Sequence, residues 1–357
     1  MKSYDLTFGM SKTTRRTVVI VAAAALLLVL SLLPGLSGVY SLHVADVVLV
    51  NVLIAVGLNY ILGFGGQISL SQAAFFGFGA YGYSILTKHG VPPLIAAAVG
   101  IGLGMGAGLL IGWPTLKLRG HYLALGTLGF GIIFSELITN FSITGGANGL
   151  SSIPPLSIGP VVFDTDSSMY YLLLVVAVIG VAASLLFVRS PLGMRARAMR
   201  DDEIAAKVAG VDVGRMKLML FVVSAGYGST AGVLYSSLLG YISPDVFQWD
   251  TTFNYLMMVV VGGLGSTLGA VIGAVLLTEL PEHLRFLQAG YLAAFGLVVM
   301  VMMAVAPGGL VGIGKRMFIW LLRRLRIVRS DPNPVAELAD DSPLVAVGEA
   351  NEETVSP

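Results

Sequence analysis

The sequence predicts an all-α polytopic membrane protein of about ten transmembrane or half-membrane helices, with N- and C-termini cytoplasmic. Three observations carry that expectation. Hydrophobic residues make up 56% of the 357 residues and charged residues only 11%, against roughly 25% charged in soluble domains. The apolar residues fall in runs of about 20, the length a helix needs to cross the hydrocarbon core. The basic residues sort consistently to one side of those runs.

In chain order the predicted spans are 17–36, 44–63, 68–87, 92–113, 121–141, 169–188, 217–239 and 287–306. Residues 1–16 read as a cytoplasmic N-terminus, with Lys12, Arg15 and Arg16 ahead of the apolar run Val18–Leu33. That run lacks a small-x-small cleavage site, so it reads as an uncleaved first span rather than a signal peptide. Residues 252–281 are apolar but interrupted by Gly262, Gly263 and Gly265. They read as two short helices or one re-entrant hairpin. With two segments there, every Lys and Arg except Lys88 and Arg285 falls on the cytoplasmic side. A single crossing would place Lys315, Arg316, Arg323, Arg324, Arg326 and Arg329 outside, against the positive-inside rule. The expectation is therefore a break at the glycines that returns the chain to the side from which it came.

The membrane domain so defined covers 17–310. Its largest external loop, 142–168, has no Lys or Arg and is rich in Gly, Ser and Pro. Residues 311–330 combine Lys and Arg with Trp320 and leucines, the pattern of an amphipathic helix at a lipid surface. Residues 331–357 hold acids and prolines but no Lys or Arg, and are expected to be a disordered acidic tail.

No cysteine is present, which excludes thiolate metal sites and thiol nucleophiles. The four histidines are scattered, with no HxxxH or HExxH pair to bind a metal. No nucleic-acid partner is implied. Gly309 to Arg316 reads G-x-x-x-x-G-K-R, one residue short of a phosphate loop. Arg316 stands where a hydroxyl would hold magnesium, and a membrane span precedes it rather than a strand, so a nucleotide site is rejected. Gly77, Gly79 and Gly82 formally spell G-x-G-x-x-G inside an apolar span, where close helix packing is the better account. Packing is also the reading for Gly100, Gly104, Gly108 and Gly112, a four-residue repeat that leaves one helix face nearly bare backbone.

Polar residues inside spans are costly unless paired or facing a cavity. The densest group, Gln67, Ser69, Ser71 and Gln72, follows the glycines at 63–66. Broken helices of this kind line aqueous pathways, so these residues with Gly262, Gly263 and Gly265 are candidate pathway elements; helix-to-helix hydrogen bonding is the alternative. The two breaks share the pattern G-G-x-x-S-x-x-x-A, starting at Gly65 and at Gly262. Asn51 and Asn59 lie in the second span. Glu136 reads as the one acid well inside a span, a structural partner or a residue of the external mouth.

The longest charged run between spans is 189–217. It carries a compact helix signature over Asp201–Gly210. Asp201 or Asp202 can cap the start, Glu203 and Lys207 stand at i,i+4, Ile204 and Val208 share a face, and Gly210 is a stop signal. Such features suit a docking handle, though taken alone they fit an ordinary solvated loop better.

Several stretches together resemble the LivM-type permeases of branched-chain amino-acid ABC transporters. They are LNYILGFGGQISLSQAAFFGFGAY (58–81), TGGANGLSSIP (144–154), SPLGMRARAMRDDEIAAKVAGVDVGRMKLMLFVVSA (190–225), LYSSLLGYISPD (234–245), VVVGGLGSTLGAVIGA (259–274) and APGGL (306–310). The resemblance implies a non-catalytic subunit in the inner membrane of a prokaryote, with 142–168 periplasmic. It implies four kinds of neighbour: membrane lipid, a second LivH-type permease, two cytoplasmic ATPases that hold ATP and magnesium, and a periplasmic or lipid-anchored substrate-binding protein. No cofactor is implied on this chain. Loop 189–217 resembles the EAA-type coupling loop. Glu203, Ala205, Ala206 and Gly210 stand at matching spacing, with Ile204 where the first Ala is usual. The resemblance assigns ATPase coupling to Asp202, Glu203, Ile204, Ala205, Ala206, Lys207 and Gly210. Two alternatives stand beside this: a urea or short-amide permease of the same family, and an ATP-independent secondary transporter. The latter calls for mid-membrane ionisable residues, which the spans lack apart from Glu136.

Overall fold

The computed structural model describes residues 38–115 and 120–284, with Gly296, Leu297, Met300, Gly309, Leu310 and Gly312 beyond them. The predicted N-terminus 1–16, the spans 17–36 and 287–306, the basic segment 311–330 and the tail 331–357 lie almost wholly outside the described residues.

Helix α1, Val39–Asn59, runs on into a π-helical turn, Tyr60–Phe64. Then follow α2 (Gln72–Lys88), α3 (Pro93–Thr115), α4 (His121–Asn140), α5 (Asp166–Arg189), α6 (Pro191–Asp201), α7 (Glu203–Val208), α8 (Val213–Leu239), α9 (Thr251–Gly262) and α10 (Thr267–Leu284). Among the described residues, five helical stretches are long and apolar enough to cross a membrane: Tyr40–Phe64, Pro93–Pro114, His121–Asn140, Asp166–Arg189 and Val213–Leu239. Each coincides with a predicted span to within a few residues.

One predicted element differs and one is as expected. The span 68–87 is not one helix: residues 66–71 are irregular and α2 starts only at Gln72. The cause is Gly66, which takes a left-handed φ of 65° and ends the preceding turn. The segment 252–281 is indeed broken at the glycines, into α9 and α10 with residues 263–266 between. At 1.5 Å per residue the 12 residues of α9 cover only about 18 Å, well short of a hydrocarbon core of about 30 Å.

Helix α8 is the pillar of the bundle, packed by α1, α2 and α3. Lipid offers helices no hydrophobic reason to associate, so close backbone approach must hold them. Glycine provides it. A Cβ on Gly79 would collide with the Ser229 backbone of α8, and one on Gly232 with the Phe76 carbonyl of α2. From α3, Gly100 lies against Gly79 and Gly82, Gly104 against Ser229, Gly108 against Ala225 and Gly112 against Leu218. Gly102 and Gly106 of the same helix face open space. Gly77 meets the ring of Phe134 in α4. All three glycines of the G-x-G-x-x-G string are thus packing residues.

At the end of α8 the loop 142–168 is laid down as ordered chain. Strand β1 (Leu150–Ser151) pairs antiparallel with β4 (Tyr241–Ile242), with Leu150 opposite Ile242. Strands β2 (Ser157–Ile158) and β3 (Val161–Val162) form a second short ladder. The Tyr83 hydroxyl donates to the Pro154 carbonyl at 2.9 Å, and the Leu156 amide donates to Ser237 Oγ at 2.7 Å. The bundle therefore has a strand end and, opposite it, a loop end carrying α6 and α7.

The packing makes a selective expectation. Gly79→Val and Gly104→Val should each destabilise by about 1–3 kcal/mol through overpacking, whereas Gly102→Val and Gly106→Val should be close to neutral. Melting of the purified protein in detergent checks this; equal effects at all four positions would refute the glycine-seam account.

Candidate functional site

The loop end is built by local signals. Ser190 caps α6, its Oγ accepting from the Gly193 amide at 3.2 Å, with Pro191 in the first turn. Gly193, Ala196 and Met199, at three-residue spacing, form the buried face of α6. Asp202 then leaves the helical region (φ −156°, ψ 111°) and starts α7, its carboxylate accepting from the amides of Ile204 at 2.8 Å and Ala205 at 3.0 Å. At the other end Gly210 adopts a φ of 82° and donates to the Lys207 carbonyl at 3.1 Å, while the Val211 amide donates to the Ala206 carbonyl at 3.0 Å. This pair of bonds around a left-handed glycine is a Schellman-type stop.

The predicted helix Asp201–Gly210 is therefore shorter and separately capped. Asp201 ends α6, Asp202 is the cap, and α7 has six residues. The carboxylate of Glu203, expected to pair with Lys207, reaches instead to the ammonium of Lys217 in α8. Lys217 is buried, so this ion pair fastens α7 to the pillar helix. Ala206 points inward. Ile204 is 71% exposed and Val208 85%, leaving an apolar i,i+4 pair on the outer face of α7.

The candidate pathway residues lie inside the chain. Gln67, Ser69, Ser71 and Gln72 are all buried. Gln72 accepts from Ser224 of α8 at 3.0 Å and donates to the Ile54 carbonyl of α1 at 3.4 Å. Ser69 and Ser71 bond each other at 3.0 Å. The Gln67 side-chain amide has no hydrogen-bond partner among the described residues. The irregular backbone here is satisfied by threonines: Leu70 donates to Thr127 Oγ1 at 2.9 Å and Ala73 to Thr252 Oγ1 at 3.1 Å. The outer face of this segment is apolar, with Ile68 41% exposed; at the second break Leu264 is 44% exposed.

The two breaks meet. Asn59 Oδ1 accepts from the Gly265 amide at 3.0 Å, and a Cβ on Gly63 would sit 2.6 Å from Gly265 N. Gly262 and Gly263 are closed over by Gly269 and Gly309 respectively, at separations only glycine permits. Asn51 donates to Thr278 of α10 at 2.9 Å, so both predicted in-span asparagines tie α1 to the second broken segment. Ser184 of α5 bonds Thr267 of the same segment at 2.9 Å. The breaks also touch the loop end through Arg200, whose guanidinium donates to the Gly63 carbonyl at 2.6 Å.

The sequence reading of the acids needs one correction. Glu136 is exposed near the strand end of α4, where it accepts from Asn140 at 3.2 Å. The buried acid is Asp46, whose two carboxylate oxygens have no hydrogen-bond partner among the described residues. Hydropathy alone hides it, because α1 starts at Val39, five residues earlier than the predicted span, which puts Asp46 two turns into the helix. Arg200 and Lys217 are equally invisible as individuals in the sequence, being two of the seven basic residues of one charged loop.

Comparison with known proteins identifies the family. Residues 40–307 match the family described as the branched-chain amino acid transport system permease component. The chain is 32% identical over 303 residues to the high-affinity branched-chain amino acid transport system permease protein LivM of Escherichia coli K12, covering 76% of this chain and 69% of that protein. It is 24% identical over 285 residues to LivH of the same organism, covering 73% of this chain and 90% of that one. It is also 26% identical over 203 residues to the autoinducer 2 import system permease protein LsrC of Yersinia enterocolitica, about half of each chain. No solved structure matches.

The caps of α7 can be tested alone. Asp202→Ala and Gly210→Ala should each cost α7 about 1 kcal/mol, seen as several-fold faster hydrogen exchange of amides 204–211 with the other helices unchanged. Unaltered exchange in both variants would mean that α7 is held by something other than its caps.

Proposed function

The chain belongs to the family of branched-chain amino acid transport permeases, and from that premise we propose that it is the membrane subunit of an ATP-driven importer for branched-chain, hydrophobic amino acids. It lies in the inner membrane of a prokaryote with ten transmembrane or half-membrane segments and both termini cytoplasmic. The loop end then faces the cytoplasm and the strand end the periplasm, an orientation that the distribution of Lys and Arg supports.

The observation that carries the coupling role is α7. It is a helix capped at both ends, fastened to α8 by Glu203 and Lys217, that nonetheless presents Ile204 and Val208 to the outside. An exposed apolar pair on a rigid, held helix is what a partner's groove requires. The partners are two cytoplasmic ATPases, which bind ATP and magnesium; this chain supplies no catalytic residue and no cofactor. A second, LivH-type permease completes the pathway, and its likeness to this chain supports a pseudo-twofold pair. A substrate-binding protein delivers the amino acid at the strand end.

The substrate passes along the broken segments, whose outward faces carry Ile68 and Leu264 rather than the serines and glutamines. Apolar residues there suit an aliphatic side chain. A relative named for autoinducer 2 import indicates that the scaffold serves other solutes, so substrate choice is tested directly.

Two measurements decide the reading. In vesicles carrying the assembled transporter, labelled leucine should be taken up with ATP and labelled urea should not; the reverse would assign the urea-type alternative, and uptake without the ATPases would favour a secondary transporter. Ile204→Asp with Val208→Asp should leave insertion intact and lower both ATPase co-purification and uptake by about tenfold or more, as expected when hot-spot anchors are lost. Gly210→Pro should lower uptake in the same way.

A further inference from the structure

Gly63 lies in the π-helical turn that ends α1. The Gly65 amide turns back to Tyr60 and the Gln67 amide to Ile61, so the helix offers no donor to the Gly63 carbonyl in the usual register. A carbonyl left over at a helix end inside a membrane protein needs a partner from elsewhere. Arg200, in the last turn of α6, is that partner at 2.6 Å. Its side chain does more than cap one group. The stem covers Gly66, where a Cβ would stand 2.8 Å from Arg200 Cγ, and Nη1 lies over Gly265, where a Cβ would stand 2.5 Å away. Both glycines have left-handed backbones, at φ 65° and 76°. One arginine side chain therefore occupies the space that both breaks leave by lacking side chains, while Asn59 joins the breaks directly through the Gly265 amide.

The connection to α7 is short. Only Asp201 and Asp202 separate Arg200 from Glu203, the first residue of α7, and Asp202 is the single non-helical residue between the two helices. Any displacement of α7 is delivered to the last turn of α6, because there is no slack loop to absorb it. Gly193, Ala196 and Met199 bury one face of α6 up to the residue before Arg200, so Arg200 moves with α6 as one piece.

We propose that Arg200 is the positioning residue that transmits displacement of α7 to the glycine breaks at 63–66 and 263–265, and that its withdrawal from Gly63 frees both broken segments to move during transport. This rests on the docking role given to α7 above. Arg200 touches no substrate in this account. It holds the two segments in one arrangement while the loop is at rest and lets go of both together when the loop is drawn away. A charge-assisted bond to a neutral carbonyl suits such a latch, being strong enough to set a resting position while water at the partly exposed guanidinium can replace it.

The test uses the complete transporter in proteoliposomes, with labelled leucine uptake and ATP hydrolysis read in the same vesicles. Arg200→Ala is expected to lower uptake about tenfold while ATP hydrolysis stays within about twofold of wild type, so that more ATP is consumed per leucine. The ATPases should still co-purify in full. Arg200→Lys should recover part of the uptake, since an ammonium can reach one carbonyl but cannot lie over both glycines. The chain has no cysteine, so Arg200→Cys can be modified with 2-aminoethyl methanethiosulfonate, with the wild-type transporter treated alongside as control. Restored uptake on adding that cation is expected. The proposal is overturned if uptake and hydrolysis fall in the same proportion, if Arg200→Ala transports normally, or if neither lysine nor the aminoethyl group improves on alanine. Failure of the docking reading is separate: it would appear as intact ATPase co-purification and uptake in the Ile204→Asp, Val208→Asp variant.

Discussion

Every peptide group within a membrane protein must find its hydrogen bond inside the protein, because lipid offers none. A continuous helix meets that demand by itself. Among the described residues the helices are interrupted after Phe64 and after Gly262, and each interruption releases backbone groups that have to be met from other elements. Thr127 takes the Leu70 amide, Thr252 takes the Ala73 amide, Asn59 takes the Gly265 amide and Arg200 gives to the Gly63 carbonyl. Four residues from four different helices are thereby committed to the breaks. Their positions tie α4, α9, α1 and α6 together around irregular chain.

The glycine seams serve the same requirement from the other direction. Partners can reach the breaks only if the helices around them come close, and α2, α3 and α8 do so through Gly79, Gly232 and Gly104. The rigid block so formed carries the ordered loop 142–168 at one end and α6 with α7 at the other. What moves in a transporter of this kind must be weaker than that block. The contacts of α7 with α8 and of Arg200 with the first break are single polar bonds rather than interlocked backbones.

Much of this was legible in the sequence. Twenty-residue apolar runs located the five long helices because span length is set by the thickness of the bilayer, independent of neighbours. The four-residue glycine repeat of α3 pointed to a packed face, and the packed face is indeed the one at Gly100, Gly104, Gly108 and Gly112, with Gly102 and Gly106 turned away. Asp202 and Gly210 were readable as cap and stop because those effects act within one helical turn. Partners distant in sequence were not readable. Lys217 rather than Lys207 receives Glu203, and Arg200 rather than any of its six basic neighbours in the loop reaches the breaks. Composition treats all seven alike; the helix that carries each, and the face it takes on that helix, distinguishes them. Asp46 escaped because an error of five residues at a helix start moves a side chain from the margin of a span to its interior.

The sequence by itself determined the class of the protein, the placement of its five long helices, the location of its breaks and the family it resembles. These rest on local properties: hydrophobic length, positive charge beside membranes, and glycine's freedom at positive φ. The tertiary structure alone decided that the two breaks lie against each other, that the polar residues after the first break face inward while Ile68 faces out, and that one arginine of the charged loop links them to α7. These depend on where separate helices meet, which is settled by the fit of whole surfaces and cannot be read from the spacing within any one of them.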